Sequence, residues 1–237
     1  MNAARMFRLP RGFLVAIEGI DGAGKTTQAA MLAGHLTAAL STEVVSSKEP
    51  TAGPWGAKIR ASAATGRMSA EDELAAFLED RKEHVAGFIE PALSRGALVI
   101  LDRYYLSTAT YQGARGLDVA EILRANEAFA PRPDLLVIIE LDPEAAVARI
   151  GTRGGANAFE AIDNLRAVHE GFARLGAPYR IARIDGSQGP QEVHHVVREA
   201  VLQAYAERAR EIIRGVENDD SIPVADKAAA LARLLAV

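Results

Sequence analysis

The amino-acid sequence predicts an α/β protein with a parallel β-sheet, and two observations lead to that prediction. Short apolar runs recur along the 237 residues and alternate with longer stretches of helical periodicity. Near-continuous apolar runs are typical of strands covered on both faces, and the alternation matches a series of βαβ units. Hydrophobic residues make up 49% of the chain and charged residues 24%, which is the balance of a globular protein.

Five strands are predicted, with intervening helices of about 12 to 25 residues. The first helix is predicted from Thr26 to Leu40, where leucines recur at helical spacing among alanines. A later helix should begin after Asp142, because aspartate is a good N-cap and Pro143 suits the first helical position. In chain order, the strands are Phe13–Ile17, Glu43–Ser46, Ala97–Leu101, Leu135–Leu141 and Tyr179–Ile184.

We expect one domain over residues 1–215 and a helical extension over residues 216–237. A polar stretch at residues 217–221 precedes an alanine- and leucine-rich run from Val224 to Leu235. Such a tail fits a packing helix or a dimer element better than a catalytic role. Residues 152–158 contain two adjacent glycines and no periodicity, which predicts a loop between helices.

Charge and composition exclude several classes of protein. The chain carries 27 basic and 31 acidic residues, a net charge of −4, whereas a general nucleic-acid-binding protein would carry a basic surplus. It has no cysteine, which excludes disulfide bonds and thiolate metal sites. No apolar run approaches the roughly 18 residues of a transmembrane helix, and the start of the chain lacks the pattern of a signal peptide. We therefore expect a cytoplasmic protein with no nucleic-acid or membrane partner.

The segment between the first predicted strand and helix has the signature of a phosphate-binding loop. Residues Gly19–Thr26 fit the pattern G-x-x-x-x-G-K-[ST] at every fixed position. Glycines allow consecutive backbone N–H groups to point at one anion, and the following helix adds its positive dipole end. Lys25 would reach the β- and γ-phosphates, and the Thr26 hydroxyl would bind Mg²⁺. A glycine-rich turn with a coincidental Lys-Thr is the alternative, although the flanking strand and helix favour the phosphate loop.

An acidic and a basic residue follow directly after the third predicted strand. Asp102 and Arg103 would lie at the carboxyl end of this strand, where open α/β sheets bind their ligands. Asp102 can hold a magnesium-bound water, and Arg103 can clamp a phosphate with its planar guanidinium. An ordinary ion pair at the strand end is the alternative, and the phosphate loop upstream favours the ligand-binding role.

Together these motifs resemble those of thymidylate kinases, over about residues 13–205. Each motif alone is weak evidence, whereas their order and spacing are specific. The segments that carry the resemblance are Ile17–Gln28, Lys48–Thr51, Ile59–Arg60, Phe77–Arg81, Asp102–Ser107 and Tyr111–Gly113.

The resemblance implies both a fold and a reaction. The fold is a P-loop NTPase of three αβα layers, with a five-stranded parallel sheet of order 2-3-1-4-5 and a lid over about residues 149–160. The reaction is transfer of the γ-phosphoryl group of MgATP to dTMP, with ATP and Mg²⁺ as cofactors. No general base is needed because the acceptor phosphate is already anionic, so catalysis is positioning and charge neutralisation. Family members are often homodimers through the helices that follow the second and third strands.

The resemblance also assigns residues to catalysis, ATP and the metal ion. Lys25, Arg103 and a lid arginine would neutralise the transferred group, while Thr26 and Asp102 would serve the metal. The residues expected to contact ATP are Gly19, Asp21, Gly22, Ala23, Gly24, Lys25, Thr26, Thr27 and Arg149, the last of which could stack on adenine.

A second group of residues is expected to bind dTMP. Phe77, near the start of a long helix, would stack on thymine, and Arg81, one turn further along, would donate to a base carbonyl. A core position remains an alternative for Phe77, and an ordinary turn remains one for Pro50, which the family commonly places after a cis peptide bond. The full set is Asp21, Glu49, Pro50, Arg60, Phe77, Arg81, Arg103, Ser107, Tyr111 and Gln112, with Arg60 and Arg103 on the phosphate, Ser107 and Gln112 on the pyrimidine edge and Tyr111 under the sugar.

The lid departs from the family pattern. Ala158 stands where relatives with Gly-Ala in the phosphate loop carry a catalytic arginine. Arg153 is the best candidate to replace it, and Arg149 is the other. Losing such an arginine costs about 10³-fold or more in rate, by analogy with arginine fingers. Three alternatives therefore stay open: Arg153 substitutes, the enzyme is slow, or the acceptor is a nucleotide or nucleoside other than dTMP. A nucleotide-binding protein whose catalysis has decayed is a further alternative.

Overall fold

Five parallel strands form the centre of the structure. The structure is a computed structural model that describes residues 9–151, 156–223 and 226–227. The side chains of residues 64, 65 and 156–161 are not described. The strands lie in the order 2-3-1-4-5, as predicted. All four neighbouring pairs are parallel, so their carboxyl ends share one edge of the sheet. The strands are β1 (Phe13–Glu18), β2 (Val44–Lys48), β3 (Leu98–Asp102), β4 (Leu135–Glu140) and β5 (Ile181–Asp185).

Helices flank this sheet and connect its strands. A π-helical turn at Val85–Ile89 joins the third helix to the fourth. The described helices are α1 (Lys25–Ala39), α2 (Pro54–Thr65), α3 (Ala70–His84), α4 (Glu90–Ser94), α5 (Tyr105–Gly113), α6 (Val119–Glu127), α7 (Pro143–Ile150), α8 (Ala156–Ala173) and α9 (Pro190–Asn218).

Burial follows the strand order. Every residue of β1 and β3 is buried, and so are the first five residues of β4, because helices cover the central strands on both faces. The edge strands β2 and β5 are only partly buried. The five predicted strands are confirmed, with ends that differ by no more than two residues.

Two helix starts show why local sequence sets these elements. Asp142 caps α7 by accepting hydrogen bonds from the backbone N–H groups of Glu144 and Ala145 at 3.0 and 3.1 Å, as predicted. Ser69 caps α3 in the same way, at 3.0 Å from the N–H group of Asp72. Acidic residues in the first turn of α3 and basic residues in its last turn complement the helix dipole.

Two predicted segments lie partly or wholly outside the described residues. Arg153 is among the residues left undescribed, and of Ala158 only the backbone is described, in α8. Helix α9 continues across the predicted boundary at residue 215, and most of the extension beyond it is not described. The division into a domain and an extension stays a prediction. In the described ranges, no helix combines the length and apolar character needed to cross a bilayer.

Candidate active site

The loop between β1 and α1 has the backbone of an anion-binding site. Gly22 and Gly24 adopt φ angles of 83° and 97°, which favour glycine. A Cβ atom at Gly22 would lie 2.7 Å from the carbonyl oxygen of Ala146, so the close packing of α7 also requires glycine there. Gly24 is the N-cap of α1 and has no side chain to engage the first N–H groups of the helix. These donors therefore stay directed at the loop, where they can bind a phosphate.

Lys25 lies buried at the start of α1. Its side chain donates from Nζ to the carbonyl oxygen of Ile20 at 2.7 Å. Burial, first, and the positive charge of Arg103, second, together lower the pKa of Lys25 to about 8, against the opposing effect of Asp21, Asp102 and Glu18. The ammonium group of Lys25 is therefore mostly protonated at neutral pH and loses its proton as the pH rises through about 8.

Thr26 and Asp102 meet across the ends of α1 and β3. The Thr26 hydroxyl donates to Asp102 Oδ2 at 2.5 Å. The other oxygen, Asp102 Oδ1, is buried and has no hydrogen-bond partner in the described part of the chain. An orphaned carboxylate oxygen beside a hydroxyl and a phosphate loop fits Mg²⁺, which keeps several waters and takes few protein ligands. Among the described residues, no three histidine or carboxylate side chains lie close enough together to hold a metal ion by themselves.

Arg103 connects the phosphate loop to α5. Its backbone has a φ angle of 70°, and its guanidinium pairs with Asp21 and donates to Ser107 Oγ at 3.2 Å. The guanidinium also lies 5.2 Å from the centre of the Tyr111 ring. Burial alone would lower the pKa of Arg103, but Tyr111, Asp21 and Glu18 raise it overall. Arg103 is thus a permanent cation held at a defined place.

A cavity opens beside Arg103. All the predicted acceptor-binding residues except Arg60 line it, so the structure brings that set together. The lining residues are Asp21, Glu49, Pro50, Arg67, Phe77, Arg81, Arg103, Tyr104, Ser107, Thr108, Tyr111 and Gln112.

Arg81 reaches this cavity from a buried network of hydrogen bonds, and its side chain is 1% exposed. Its Nε and Nη2 donate to Glu49 Oε2 at 2.8 and 2.6 Å, and Nη2 also donates to Thr108 at 3.0 Å. Its Nη1 donates to Asn126 Oδ1 at 2.5 Å. A guanidinium carries five N–H groups, so these bonds leave one N–H on Nη1 for a ligand.

A second network orients Gln112. Its Nε2 donates to Glu73 Oε2 at 2.6 Å. Glu73 also accepts two hydrogen bonds from Arg67, each at 3.1 Å, and pairs with Arg115. Burial raises the pKa of Glu73, but the hydrogen bonds from Arg67 and Gln112 lower it overall, so its carboxyl group stays ionised. The Gln112 amide therefore presents a defined orientation to the cavity.

Three further predicted residues take distinct positions around the cavity. Phe77 is half-buried and lines the cavity from the middle of α3, not from near its start as expected. The Glu49–Pro50 peptide bond is cis, as the resemblance implied. Arg60 lies beside the cavity and donates to the carbonyl oxygens of Pro50 and Thr51 at 3.1 and 2.7 Å. Its predicted contact with the acceptor phosphate stays a prediction.

A second cavity is lined by the phosphate loop and by the segment after β5. The predicted Arg149 lines it and donates to the carbonyl oxygen of Ser187 at 3.3 Å. The lining residues are Gly22, Ala23, Gly24, Thr27, Gln28, Arg149, Gly186, Ser187, Gln188, Gly189, Pro190 and Val193. The segment after β5 was not predicted to take part, because a short glycine-containing turn carries no motif of its own.

Four residues that surround the cavity beside Arg103, or bond to its lining, were missed by sequence reasoning: Arg67, Glu73, Asn126 and Glu18. Arg67, Glu73 and Asn126 carry no local signal, because their partners lie on other elements. Glu18 did carry one: it is the charged residue that closes an apolar strand directly before the phosphate loop.

A parallel sheet of this order, with a phosphate loop between β1 and α1 and an aspartate at the end of β3, is the architecture of the P-loop kinases. The family model described as thymidylate kinase matches residues 17–197. The chain belongs to the thymidylate kinase family.

Proteins named thymidylate kinase from several bacteria are similar over most of their length. That of Xanthomonas campestris pv. campestris is 52% identical over 202 residues, which cover 85% of this chain and 88% of the relative. That of Xanthomonas oryzae pv. oryzae is 50% identical over 200 residues, covering 84% and 87%. That of Akkermansia muciniphila is 49% identical over 198 residues, covering 82% and 94%.

Proposed function

We propose that this chain transfers the γ-phosphoryl group of ATP to dTMP, in the presence of Mg²⁺, to form dTDP and ADP. The named activity of its relatives supports this acceptor. The observation that carries the proposal is the cavity beside Arg103, hereafter the acceptor cavity. It joins a polar wall of Arg81, Ser107 and Gln112, the base-reading wall, to Arg103 beside the phosphate loop. An acceptor nucleotide held there would have its base among buried donors and its phosphate among cations.

The base-reading wall favours a pyrimidine with a carbonyl at position 4. Arg81 retains one N–H group that can donate to a carbonyl oxygen at position 4 of the base. The amino group of cytosine at this position is itself a donor, so it cannot accept that hydrogen bond. Leaving such a buried donor unsatisfied is expensive, so cytosine is rejected more strongly than a missing contact would suggest. Phe77 would stack on the ring, and Tyr111 would lie under the sugar.

The transfer itself needs charge neutralisation and alignment. An oxygen of the acceptor phosphate attacks the γ-phosphorus as the bond to the β,γ-bridging oxygen breaks, and ADP leaves. Lys25 and Arg103 would neutralise the transferred group, while the loop N–H groups hold the donor phosphates. Mg²⁺, held through Thr26 and Asp102, would neutralise charge on the β- and γ-phosphates.

The donor nucleotide is assigned to the second cavity. Gly19, Asp21 and the loop from Gly22 to Thr27 would cradle its phosphates, and Arg149 would stack on adenine. Arg153 would supply the cation of the lid, in place of the arginine that the family pattern has where this chain has Ala158. An Arg153→Ala variant would then lose about 10³-fold in kcat with ATP affinity retained.

The proposed homodimer would pair the helices that follow β2 and β3. An apolar groove between α3 and α6 supports it, lined by Leu74, Ala75, Leu78, Leu117, Ile122 and Ala125 among others. Light scattering after gel filtration would detect the dimer, and a monomer at micromolar concentration would refute it. We propose that the protein acts in the cytoplasm, where an enzyme of nucleotide metabolism would meet its substrates.

A substrate panel tests the proposed reaction. ADP release with MgATP is measured with dTMP, dUMP, dCMP, UMP and thymidine, and an Arg103→Met variant serves as the low-activity control. We expect dTMP to give the highest kcat/KM. Faster turnover of dCMP, UMP or thymidine would refute the acceptor. ATP binding with no ADP release on any acceptor would instead indicate a decayed enzyme.

A further inference from the structure

The N-terminus of helix α5, which begins two residues after Arg103, is capped by a side chain from strand β1. Its N-cap residue, Tyr104, makes no side-chain capping bond. The carboxylate of Glu18, the last residue of β1, takes this place. Its Oε1 accepts hydrogen bonds from the backbone N–H groups of Tyr104 and Ser107, at 2.9 and 3.1 Å. The bond to the N–H group of Ser107 is the one that an N-cap side chain normally makes, and the bond to the N–H group of Tyr104 is the one that the acidic residue of a capping box makes.

The second oxygen of Glu18 continues the connection to Arg103. Glu18 Oε2 accepts a hydrogen bond from the Ser107 hydroxyl, and that hydroxyl oxygen in turn accepts one from Arg103 Nη1 at 3.2 Å. The backbone of Arg103 is anchored on the same strand, because its N–H group donates to the carbonyl oxygen of Ile17 at 3.0 Å. Its φ angle of 70° is one that a non-glycine residue keeps only when its surroundings hold it.

Glu18 is fully buried among groups that respond to its charge. Burial raises its pKa to about 7, against the hydrogen bond from Ser107 and the positive charge of Arg103. Lys25 is the other nearby cation that interacts with it. Glu18 neither contacts the transferred group nor binds the metal ion in the proposed reaction.

We propose that Glu18 is a positioning residue for the acceptor phosphate, acting through Ser107 and the turn before α5 to hold Arg103 at its place. This inference rests on the proposed function, since it assumes that Arg103 binds the phosphate of the acceptor.

The charge of Glu18 decides which way the Ser107 hydroxyl donates its hydrogen bond. An ionised Glu18 can only accept, so the Ser107 hydroxyl must donate to it and turn its lone pairs to Arg103. A protonated carboxyl, or a glutamine at this position, donates to Ser107 instead. The Ser107 hydrogen then has to turn away, towards the cavity or Arg103, and the arrangement around the guanidinium changes. Glu18→Gln therefore imitates the protonated enzyme at every pH.

The experiment compares steady-state kinetics of the wild type and Glu18→Gln with dTMP and MgATP from pH 6 to 7.5. We expect Glu18→Gln to raise the KM for dTMP about 10-fold, the scale of one lost hydrogen bond to a charged group, with little change in the KM for ATP. The wild type should lose activity as the pH falls through 7, and the variant should lack this step. The dTMP phosphate titrates in the same way in both experiments, so a difference between the two pH profiles reports the ionisation of Glu18.

Two further variants separate positioning from folding. Ser107→Ala should remove the same pH step, and adding Glu18→Gln to it should cost no more, because both changes cut one connection. Glu140→Gln is the matched control, since Glu140 also ends a central strand but has an exposed side chain paired with Arg183, and it should leave the kinetics unchanged.

The outcomes are distinct. An unchanged KM for dTMP and an unchanged pH step in Glu18→Gln would overturn the inference. So would a loss of dTMP affinity matched by equal losses in melting temperature and in ATP affinity, since that would show a merely structural role. If the wild type itself binds no dTMP by calorimetry, the proposed acceptor fails. The same comparison is then made with the acceptor that the substrate panel identifies.

Discussion

The buried pair between Arg81 and Glu49 allows a quantitative prediction of stability. The two side chains are 1% and 2% exposed and lie 2.6 Å apart. A methionine in place of Arg81 fills most of the volume of the arginine side chain but leaves the Glu49 carboxylate buried. Among the described side chains, His84 Nδ1 at 2.9 Å is then the polar partner that Glu49 keeps. Removing one partner of a buried pair costs about 3 to 5 kcal/mol.

This loss in the free energy of unfolding predicts a decrease in the melting temperature, Tm. For chains of 150 to 250 residues, each kcal/mol lowers Tm by about 2 to 4 °C, so Arg81→Met should melt about 6 to 20 °C below the wild type. Circular dichroism during heating measures the shift. The exposed i,i+4 pair of Arg174 with Glu170 is the control, and Arg174→Met should lower Tm by no more than about 2 °C.

A double variant tests the reason for the loss. In Arg81→Met/Glu49→Gln the uncompensated charge is gone, so the double variant should be more stable than Arg81→Met alone. A single variant that melts within 2 °C of the wild type, or a double variant that melts lower than the single one, would refute the reasoning.

Three further changes follow from the phosphate loop and the metal site. Because burial lowers the pKa of Lys25 to about 8, Lys25 is protonated below that value, and kcat/KM should fall as the pH rises through 8; a pH profile that stays flat to pH 9.5 would contradict this. Asp102→Asn should raise the Mg²⁺ concentration for half-maximal rate at least about 10-fold, measured by metal titration at saturating ATP, and an unchanged value would remove Asp102 from the metal site. Gly22→Ala should abolish ATP binding in calorimetry, because its Cβ atom would press on the Ala146 carbonyl and its φ angle disfavours alanine; unaltered affinity would show that the loop yields without cost.

Local patterns predicted the elements of this fold because their causes are local. Apolar runs identified the five strands, since each run is buried by whatever covers it. Asp142 marked the start of α7 because a cap acts within three residues of its own position. The order of the strands, by contrast, was predicted only from the resemblance to thymidylate kinases, because the sequence of a strand does not indicate which other strand it pairs with.

The candidate site was predictable only where residues follow a motif. Phe77 and Arg81 share one turn of α3, so their spacing indicated a common face. The bond from Arg81 to Asn126 joins positions 45 apart, and that from Glu18 to Ser107 joins positions 89 apart. Such partners meet only after helices pack on the sheet, so a single sequence carries no signal of them.

Neighbouring residues of one short loop face two different cavities. Asp21 lines the cavity beside Arg103, which we propose for the acceptor, whereas Gly22, Ala23 and Gly24 line the second cavity, which we propose for ATP. A single molecule with a thymidine head, an adenosine head and a polyphosphate chain between them could occupy both at once. Once one head is bound, the other is held at high effective concentration, so the joined inhibitor should bind far more tightly than either half. Chain length then becomes the quantity that a medicinal chemist would vary first.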